Sequence, residues 1–335
     1  NNCVKRLDTH HGIMTLVAGV KTPGFGGEGE PAIYAQMKNV GEPAVTSTGE
    51  IVIPDTDNNR VRKVTNGGLI RTIAGTGEDG SYSGDDGPAL RAVFQKPESV
   101  VVVNDEIFFS VQSNNRICKI DHLGNITTVV GNDQVTAPRG LAVNSQGEIY
   151  FADTGGYTIK KRDVSGAITT VAGNGQNGNN GGDDVPATSI PLGSPVGLAI
   201  NDNDELFFTD ETNNVIRKVG NDGKIKTVMQ DITSHGIGVR YNIELFVANR
   251  PKNKVEKRDA NQKVSVVAGT GTAGWSAAFT RPNNVPFVFV SSVAILSNGA
   301  LVVSDTYQHQ IKKIDTDGKI VTIAGSGDLG SLDDK

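Results

Sequence analysis

Residues 139–173 decide the fold, and they run RGLAVNSQGEIYFADTGGYTIKKRDVSGAITTVAG. Four short runs, 141–143, 149–152, 159–162 and 168–172, alternate with turns rich in Gly, Asn, Asp and Ser. Short runs bounded by such residues predict β-strands joined as hairpins. No sustained helical periodicity lies between them. The stretch therefore predicts one sheet of four antiparallel strands.

The same pattern recurs along the chain. The last residue of the second run is Asp55, Val111, Asp153, Asp210, Asn249 and Asp305, in steps of 56, 42, 57, 39 and 56 residues. Units of about 40 residues with four strands are typical of β-propeller blades. The sequence thus predicts an all-β propeller of four-stranded antiparallel blades. The complete blades, numbered one to six, are predicted at 39–77, 96–133, 136–175, 194–231, 234–271 and 289–327.

A half blade at residues 3–19 precedes these six units. It matches strands three and four alone, so the expectation is a single propeller domain over residues 1–335 with six or seven blades. The missing strands would come from sequence outside this chain, or the half blade packs on a six-bladed ring or on another molecule. The chain opens at Asn1 without a Met, which suggests a processed or excised piece.

Composition excludes several classes of protein. The 335 residues carry 32 Lys and Arg against 37 Asp and Glu, a net charge of −5, which disfavours nucleic acid as a partner. No apolar run reaches the roughly 18 residues of a transmembrane helix, so no transmembrane segment is predicted. Two cysteines, Cys3 and Cys118, are too few for a disulfide scaffold.

The repeat cores resemble the NHL repeat family. Residues 55–64 (DTDNNRVRKV) and 210–219 (DETNNVIRKV) are similar to its D-T-x-N-N-R-I-x-K core. Residues 74–89 resemble a loop common in long secreted NHL proteins of bacteria and protists. The resemblance implies a propeller, and its members include protein-binding, RNA-binding, enzymatic and structural proteins. An extracellular or cell-surface location is therefore expected, with Asn125 in the sequon Asn125-Ile126-Thr127 as a glycosylation candidate.

Residues that recur in every blade are expected to support the architecture. The aspartates that end strand two (Asp55, Asp153, Asp210 and Asp305) should accept hydrogen bonds from backbone N–H groups in the next loop. Strand three carries a recurring basic residue, and these cations are expected in blade-to-blade pairs or at a solvated edge. They are Arg6, Lys63, Lys119, Lys161, Lys218, Lys257 and Lys313.

Positions that differ between blades are the candidates for ligand binding. The residue before strand one is Gly41, Glu98, Arg139, Val196, His235 and Ser291 in blades one to six. Long insertions at 20–40, 76–97, 174–195 and 270–290 are predicted to crowd one loop-rich face. The candidate binding residues on that face are Glu98, Arg139, His235, Tyr157, Arg250, Trp275, Tyr307 and His309.

Metal-dependent chemistry is the competing interpretation. Amidating lyases of this fold are expected to hold zinc with histidines at the position before strand one, and only His235 matches. Glu98 with Asp153 and Asp210 is an alternative acidic set for a hydrolase. Asp79, Asp85 and Asp86 are candidate calcium ligands, although three carboxylates supply few of the six to eight oxygens that calcium needs. Otherwise no cofactor is predicted, and the sequence favours a protein that is not an enzyme.

The sequence therefore predicts a non-catalytic interaction module that binds a protein or glycan through the loop-rich face. A first alternative is an assembly protein, whose N-terminal half blade pairs with a neighbouring protomer and builds an oligomer or fibre. A second alternative is a metal-dependent hydrolase or lyase at the channel mouth.

Overall fold

The computed structural model describes most of the chain. The described residues are 2–7, 14–20, 22–179, 182–232, 237–240, 244–249, 251–259, 261, 263–274, 281–288, 290–295, 299–305 and 310–324. Their regular structure consists of β-strands and 3-10 helices of three residues. Within these residues no helix is long and apolar enough to cross a bilayer. The chain divides into two compact units, Asn1–Arg6 with Thr15–Thr170 and Leu7–Met14 with Val171–Lys335.

The first unit holds most of the half blade and blades one to three. The half blade is a two-stranded sheet of β1 (Val4–Leu7) and β2 (Met14–Ala18). Blade one is β3 (Ala44–Val45), β4 (Ile51–Asp55), β5 (Arg60–Val64) and β6 (Ile70–Ala74). Blade two is β7 (Gly87–Pro88), β8 (Pro97–Val103), β9 (Glu106–Val111), β10 (Arg116–Ile120) and β11 (Asn125–Val130). Blade three is β12 (Pro138–Val143), β13 (Ile149–Asp153), β14 (Thr158–Arg162) and β15 (Ile168–Ala172), and the boundary between the units falls inside β15.

The second unit holds blades four to six. Blade four is β16 (Val185–Pro186), β17 (Pro195–Ile200), β18 (Leu206–Asp210), β19 (Val215–Val219) and β20 (Lys224–Gln230). Blade five is β21 (Ile237–Arg240), β22 (Glu244–Asn249), β23 (Lys254–Arg258) and β24 (Val264–Ala268). Blade six is β25 (Val290–Ile295), β26 (Leu301–Asp305), β27 (Gln310–Ile314) and β28 (Ile320–Ala324).

Neighbouring sheets bury their apolar faces against each other. Val52 and Val61 of blade one share a core cluster with Val100 and Phe109 of blade two, and all four are nearly inaccessible to solvent. Blade two's opposite face contributes Phe108 to a cluster shared with blade three. Both faces of an inner strand are therefore buried, which is why β9, β13 and β18 are apolar almost throughout.

A short connection joins strand two to strand three. In blades one and two it is a 3-10 helix, Thr56–Asn58 and Gln112–Asn114, followed by an Asn in the left-handed conformation. Asn59 has φ of 52° and Asn115 has φ of 54°, and Asn tolerates this region better than most residues. Their side-chain oxygens accept the N–H groups of Lys96 (3.0 Å) and Ala137 (2.8 Å) at the entry to the next blade.

The insertions do not gather on one face as predicted. In blades two and four the insertion supplies the edge strand of its own blade, so these sheets have five strands in the orders β7-β11-β10-β9-β8 and β16-β20-β19-β18-β17. In blade one, Pro31 bridges Leu69 beside β6 in the same way. The prediction was wrong for these segments because strand four has an open edge, and its backbone groups need partners.

Candidate functional site

The strand-two aspartates are buried and fix the start of their own blade. Asp55 accepts the N–H of Lys38 at 2.7 Å. The equivalent bonds join Thr136 to Asp153 (2.7 Å), Ser194 to Asp210 (2.9 Å) and Val288 to Asp305 (2.8 Å). The amide donors precede strand one, and not the loop after strand two as expected, because antiparallel pairing brings the end of strand two beside the start of strand one. These carboxylates are therefore engaged in the fold.

A basic residue seven positions later faces each of these acids, and it is buried in blades one, four and six. The pairs are Asp55 with Arg62 (3.9 Å), Asp153 with Lys160 (2.7 Å) and Asp210 with Arg217 (3.7 Å), and Lys312 interacts electrostatically with Asp305. Burial raises the pKa of Asp55 and lowers the pKa of Arg62. Burial also raises the pKa of Asp305 to about 6 and lowers the pKa of Lys312. The sequence analysis missed this basic position, although the constant spacing could have indicated it.

Blades two and five change both members of this pair together. In blade five the residues are Asn249 and Glu256, and the Asn249 amide donates to the Glu256 carboxylate at 2.8 Å. In blade two the residues are Val111 and Cys118, which are both buried. In the described blades, each charged side chain at these two positions therefore faces either an opposite charge or a hydrogen-bond donor, as expected where desolvation penalises an unpaired polar group.

The recurring lysines of strand three pair within their own blade. Lys63 lies 2.8 Å from Glu50, Lys119 lies 2.7 Å from Glu106, and Lys161 lies 2.8 Å from Glu148. Lys218 with Glu205 and Lys257 with Glu244 follow the same cross-strand pattern, and Lys313 pairs with Asp315. These lysines therefore do not form the blade-to-blade pairs that were one expectation, and each of the six has an acidic partner in its own blade. The side chain of Arg6 lies outside the described residues.

Two of the candidate binding residues meet at the start of strand one. The Arg139 guanidinium lies 3.9 Å from the Glu98 carboxylate, and each side chain is 23% exposed. Gly41 approaches the same place so closely that a Cβ there would lie 2.0 Å from the Glu98 carbonyl oxygen. Three successive blades of the first unit therefore converge at this point. Glu98 already faces a cation, which reduces its attraction for a metal ion.

A buried serine network supports this convergence. The Ser99 hydroxyl donates to Glu42 at 3.0 Å and accepts the N–H of Leu141 at 3.2 Å. The Ser110 hydroxyl donates to the Arg139 carbonyl at 2.7 Å and accepts the N–H of Ser99 at 3.1 Å. Both hydroxyls join neighbouring blades, and both serines are buried, at 2% and 0% exposure, which keeps a substrate away from them.

An open polar cleft lies beside the strand two–three loops of blades one and two. Its volume is about 450 Å³, and it is lined by Lys38, Asp57, Asn59, Asp79, Gln95, Lys96 and Ser113. Asn59 holds two other lining residues in place. Its side-chain amide donates to Asp79 at 2.7 Å, and its side-chain oxygen accepts the Lys96 N–H. Of the predicted binding residues, the three that the structure describes (Glu98, Arg139 and Tyr157) do not line the cleft. The sequence did contain a signal for this cleft. Asp57 and Ser113 are polar residues in the strand two–three loops of adjacent blades, and these loops lie on the same side.

Tyr157 is the third predicted binding residue that the structure describes. It occupies the left-handed position that Asn59 and Asn115 hold in other blades, with φ of 54°. A bulky aromatic residue rarely adopts this conformation, so the connection in blade three is strained at a solvent-accessible side chain. The other five candidates lie outside the described residues, and they are His235, Arg250, Trp275, Tyr307 and His309.

The candidate calcium ligands are bonded to protein donors. Asp79 accepts from Asn59, and Asp85 accepts from the Tyr82 hydroxyl (2.8 Å) and the Thr128 N–H (2.6 Å). The described residues contain no group of three or more acids, histidines or cysteines placed to hold a metal. Asp153 and Asp210, suggested as members of an acidic catalytic set with Glu98, are committed to the contacts given above. Their role in the fold limits their use as metal ligands.

Cys118 is not an available nucleophile. It is fully buried, and burial raises the pKa of its thiol to about 12. The thiol donates to the Tyr82 hydroxyl at 3.5 Å. Arg116 lies over the Tyr82 ring at 4.5 Å, and burial also raises the pKa of Tyr82. This cluster anchors the insertion of blade two on its sheet.

Several solved structures have a fold similar to that of this chain. Virginiamycin B lyase from Staphylococcus aureus matches with a TM-score of 0.59 and 16% identity, over 84% of this chain and 83% of that one. A chain of a nidogen/laminin complex matches with a TM-score of 0.52 and 14% identity, over 78% and 88%. An auxiliary nutrient binding protein from Bacteroides thetaiotaomicron matches with a TM-score of 0.51 and 11% identity, over 92% and 87%.

These likenesses and the repeated sheets define the chain as a β-propeller protein. The blade arrangement agrees with the predicted fold class of six or seven four-stranded blades. No family model matches the chain, so the resemblance to NHL repeats stays a prediction. The matched proteins include a lyase, a member of a protein complex and a nutrient binding protein, so the fold by itself does not select a function.

Proposed function

We propose that this protein is a non-catalytic binding module that holds a glycan in the polar cleft of its first unit. The observation that carries the proposal is the cleft itself, with a volume of about 450 Å³ and seven polar or charged lining residues. Two lysines, two aspartates, two amides and a hydroxyl can donate to and accept from the many hydroxyls of a sugar. The expected location of the module remains extracellular or at the cell surface.

A glycan suits this cleft better than a protein partner. Protein hot spots centre on aromatic or apolar anchors in dry pockets, whereas this lining is polar throughout. Its backbone is also held in advance. The N–H of Asp57 donates to the Lys38 carbonyl at 3.1 Å, and the N–H of Gln112 donates to the Lys96 carbonyl at 3.0 Å. A held cleft loses little conformational entropy when a ligand binds.

The described residues favour binding over chemistry. Cys118 is buried with a raised thiol pKa, and the strand-two acids accept backbone N–H groups. Glu98 faces Arg139 at 3.9 Å. None of these groups presents an activated nucleophile or an open metal position, which hydrolases and lyases of this size need.

The test is binding of the purified protein to an array of glycans, followed by calorimetry with each hit. Lys38→Ala and Asp57→Ala should each weaken binding at least tenfold, because they remove only side chains that line the cleft. Asp202→Ala and Lys224→Ala are matched exposed controls in the second unit and should bind as the wild type does. The proposal is wrong if no glycan binds, or if a protein ligand depends on the same two side chains.

The half blade supports a second candidate, assembly through a neighbouring protomer. In the described residues β1 and β2 form a sheet of two strands, whereas each complete blade has at least four. Ala18, with Val4 and Val17, packs against Ile53 and Ile70 of blade one, so the half blade shares an apolar core with blade one that further strands could extend. Sedimentation at increasing concentration should then show an oligomer that is lost on deletion of residues 1–19. A monomer at every concentration contradicts this candidate.

A further inference from the structure

Three insertions share a short pattern, an acidic residue followed three positions later by Pro-Ala. The segments are 28–32 (EGEPA), 85–89 (DDGPA) and 183–187 (DDVPA). They belong to blades one, two and four. Each lies along strand four of its own blade, beside β6, β11 and β20. The pattern is therefore a strand-four binding sequence that the chain uses on itself three times.

The acid of each segment satisfies one exposed backbone donor. A β-bulge shifts the register between strands three and four, for example between Val61 and Arg62. Alternate residues of strand four direct their N–H away from strand three. In blade one Ile70, whose N–H donates to the Glu30 carbonyl at 3.0 Å, is one such residue, and Thr72, two positions later, is the next. Thr72 donates this N–H to Glu28 at 2.8 Å, Thr128 to Asp85 at 2.6 Å, and Thr227 to Asp183 at 2.7 Å.

The Pro-Ala of each segment then covers an apolar side chain. The alanine N–H donates to the carbonyl of the glycine before strand four, at 2.8 Å for Ala32, 2.9 Å for Ala89 and 2.9 Å for Ala187. Beneath the segments lie Ile70, Ile126 and Ile225, which are all 0% exposed. Ile70 shares a core cluster with Ala32, and Ile126 shares one with Ala89, so the insertions contribute to this burial.

Blade five lacks such an insertion, and its edge is exposed. Strand β24 has the same bulge, between Val255 and Glu256, which puts Val266 at the position of Thr72. Val264 occupies the buried isoleucine position but is 48% exposed, and Val266 is 36% exposed. Within the described residues no strand pairs with the outer edge of β24.

We propose that the outer edge of β24 binds an extended segment of a partner protein with an acidic residue three positions before Pro-Ala. The partner's carboxylate accepts the N–H of Val266, and its Pro-Ala covers Val264. The partner chemistry follows from the three segments of this chain that occupy equivalent edges. Ser265 stands at the position of Thr127, whose hydroxyl donates to Asp86 at 3.5 Å, and offers the same donor.

Two features favour strand addition at this edge. Strand β24 has no proline or charged residue over 264–268, and these are the devices by which edge strands avoid pairing. Blade three also has a short entry connection, but the exposed residues of β15 are Thr169 and Thr170, which leave less apolar surface to cover. Strand addition draws its affinity from backbone bonds and its specificity from alternate side chains. Blade five supplies both.

The test uses the full chain and a fluorescent peptide with the sequence of residues 83–92, SGDDGPALRA. Fluorescence anisotropy should show saturable binding, and hydrogen exchange of the Val266 amide should slow at least tenfold at saturation. A peptide with Lys in place of the first aspartate should bind at least tenfold more weakly. This peptide arm holds even if a protein variant fails to fold.

The matched protein variants are Val264→Asp and Val164→Asp, since both replace exposed valines. Val264→Asp should abolish peptide binding, and Val164→Asp should leave it unchanged. Absence of saturable binding, protection elsewhere than β24, or equal binding by Val264→Asp overturns the proposal. Sedimentation of the protein alone gives a further arm. A dimer that Val264→Asp dissociates would assign this edge to a second copy, and would also overturn the proposal.

Discussion

The side-chain amide of Asn249 donates to the carboxylate of Glu256 at 2.8 Å, at the two positions that Asp55 and Arg62 occupy in blade one. In blade five the acid lies on strand three instead of strand two, and the strand-two position carries no charge. Asn249 is 0% exposed and Glu256 is 7% exposed, so the pair is sealed from solvent. An acid at both positions would place like charges together in a buried site.

Asn249→Asp is therefore expected to destabilise the protein by about 3 kcal/mol, since a buried charge without a compensating partner is costly. The additional change Glu256→Arg should recover most of the loss, because it rebuilds the blade-one pair. Urea unfolding of the two variants and the wild type measures both effects. Asp202→Asn, at an exposed site, is the control and should change little. Equal stability of Asn249→Asp and the wild type would contradict the pairing argument.

Asp305 gives a prediction for pH. Burial raises its pKa from 3.8 to about 6, so the folded state binds this proton more tightly than the unfolded state does. The resulting stabilisation is complete below about pH 4 and is lost as the pH rises through 6. In Asp305→Asn this dependence disappears, while the amide oxygen can still accept the Val288 N–H. The stability of the wild type relative to Asp305→Asn should therefore fall between pH 4 and 6.5.

Unfolding free energies at several pH values in this window measure the difference. Asp202→Asn serves again as the control, and its difference from the wild type should stay flat over the same range. A difference for Asp305→Asn that rises with pH would mean that the carboxylate is stabilised in its charged form, contrary to the effect of burial.

The sequence predicted the fold class, a propeller of antiparallel sheets, because each blade is a local hairpin unit. Asp153 and its equivalents could be recognised as structural because they recur. The course of the insertions could not be predicted in the same way. Asp85 bonds to Thr128, and Glu28 bonds to Thr72, across 43 and 44 residues of chain. Such contacts depend on which distant segment reaches the outer edge of strand four, and hairpin periodicity does not reveal it.

The candidate site was harder still to predict. Glu98 and Arg139 were expected together because equivalent positions of successive strands lie side by side, and they do meet. The cleft around Asp57 and Lys96 depends instead on the conformation of irregular segments. Lys96 has φ of 54°, a value that nothing in its side chain favours. The N–H of Lys96 donates to the Asn59 side-chain oxygen at 3.0 Å in this conformation, a tertiary contact that sequence alone gave no reason to expect.

Removal of Ser99 should matter more than removal of the neighbouring charge. Ser99 is 2% exposed, and its hydroxyl joins Glu42 to the backbone of blade three. Ser99→Ala leaves the buried N–H of Leu141 without this acceptor and should cost about 1–3 kcal/mol. Arg139→Ala breaks an ion pair that is partly open to water, which is worth about 0–1 kcal/mol. Denaturant unfolding ranks the two variants, and a larger loss for Arg139→Ala would reverse the assignment of roles.

Gly41 tests the approach of blade one to blade two at strand one. The N–H of Glu42 donates to the Glu98 carbonyl at 2.8 Å, and the N–H of Val100 donates to the Glu42 carbonyl at 3.2 Å. Both bonds require the backbone at Gly41 to pass so close that a Cβ would overlap the Glu98 carbonyl oxygen, at 2.0 Å. Backbone cannot yield as a flexible side chain does, so the strands must separate.

Gly41→Ala is accordingly expected to lose about 3 kcal/mol or more, within the range of severe steric changes. Gly182→Ala is the matched control, because a Cβ there meets no atom within 4 Å. Urea unfolding compares their stability, and hydrogen exchange at the Glu42 and Val100 amides locates the damage. Faster exchange at these two amides in Gly41→Ala, with the Gly182→Ala protein unchanged, is the expected result. If both variants unfold alike, the two strands do not approach as closely as the 2.8 Å bond requires.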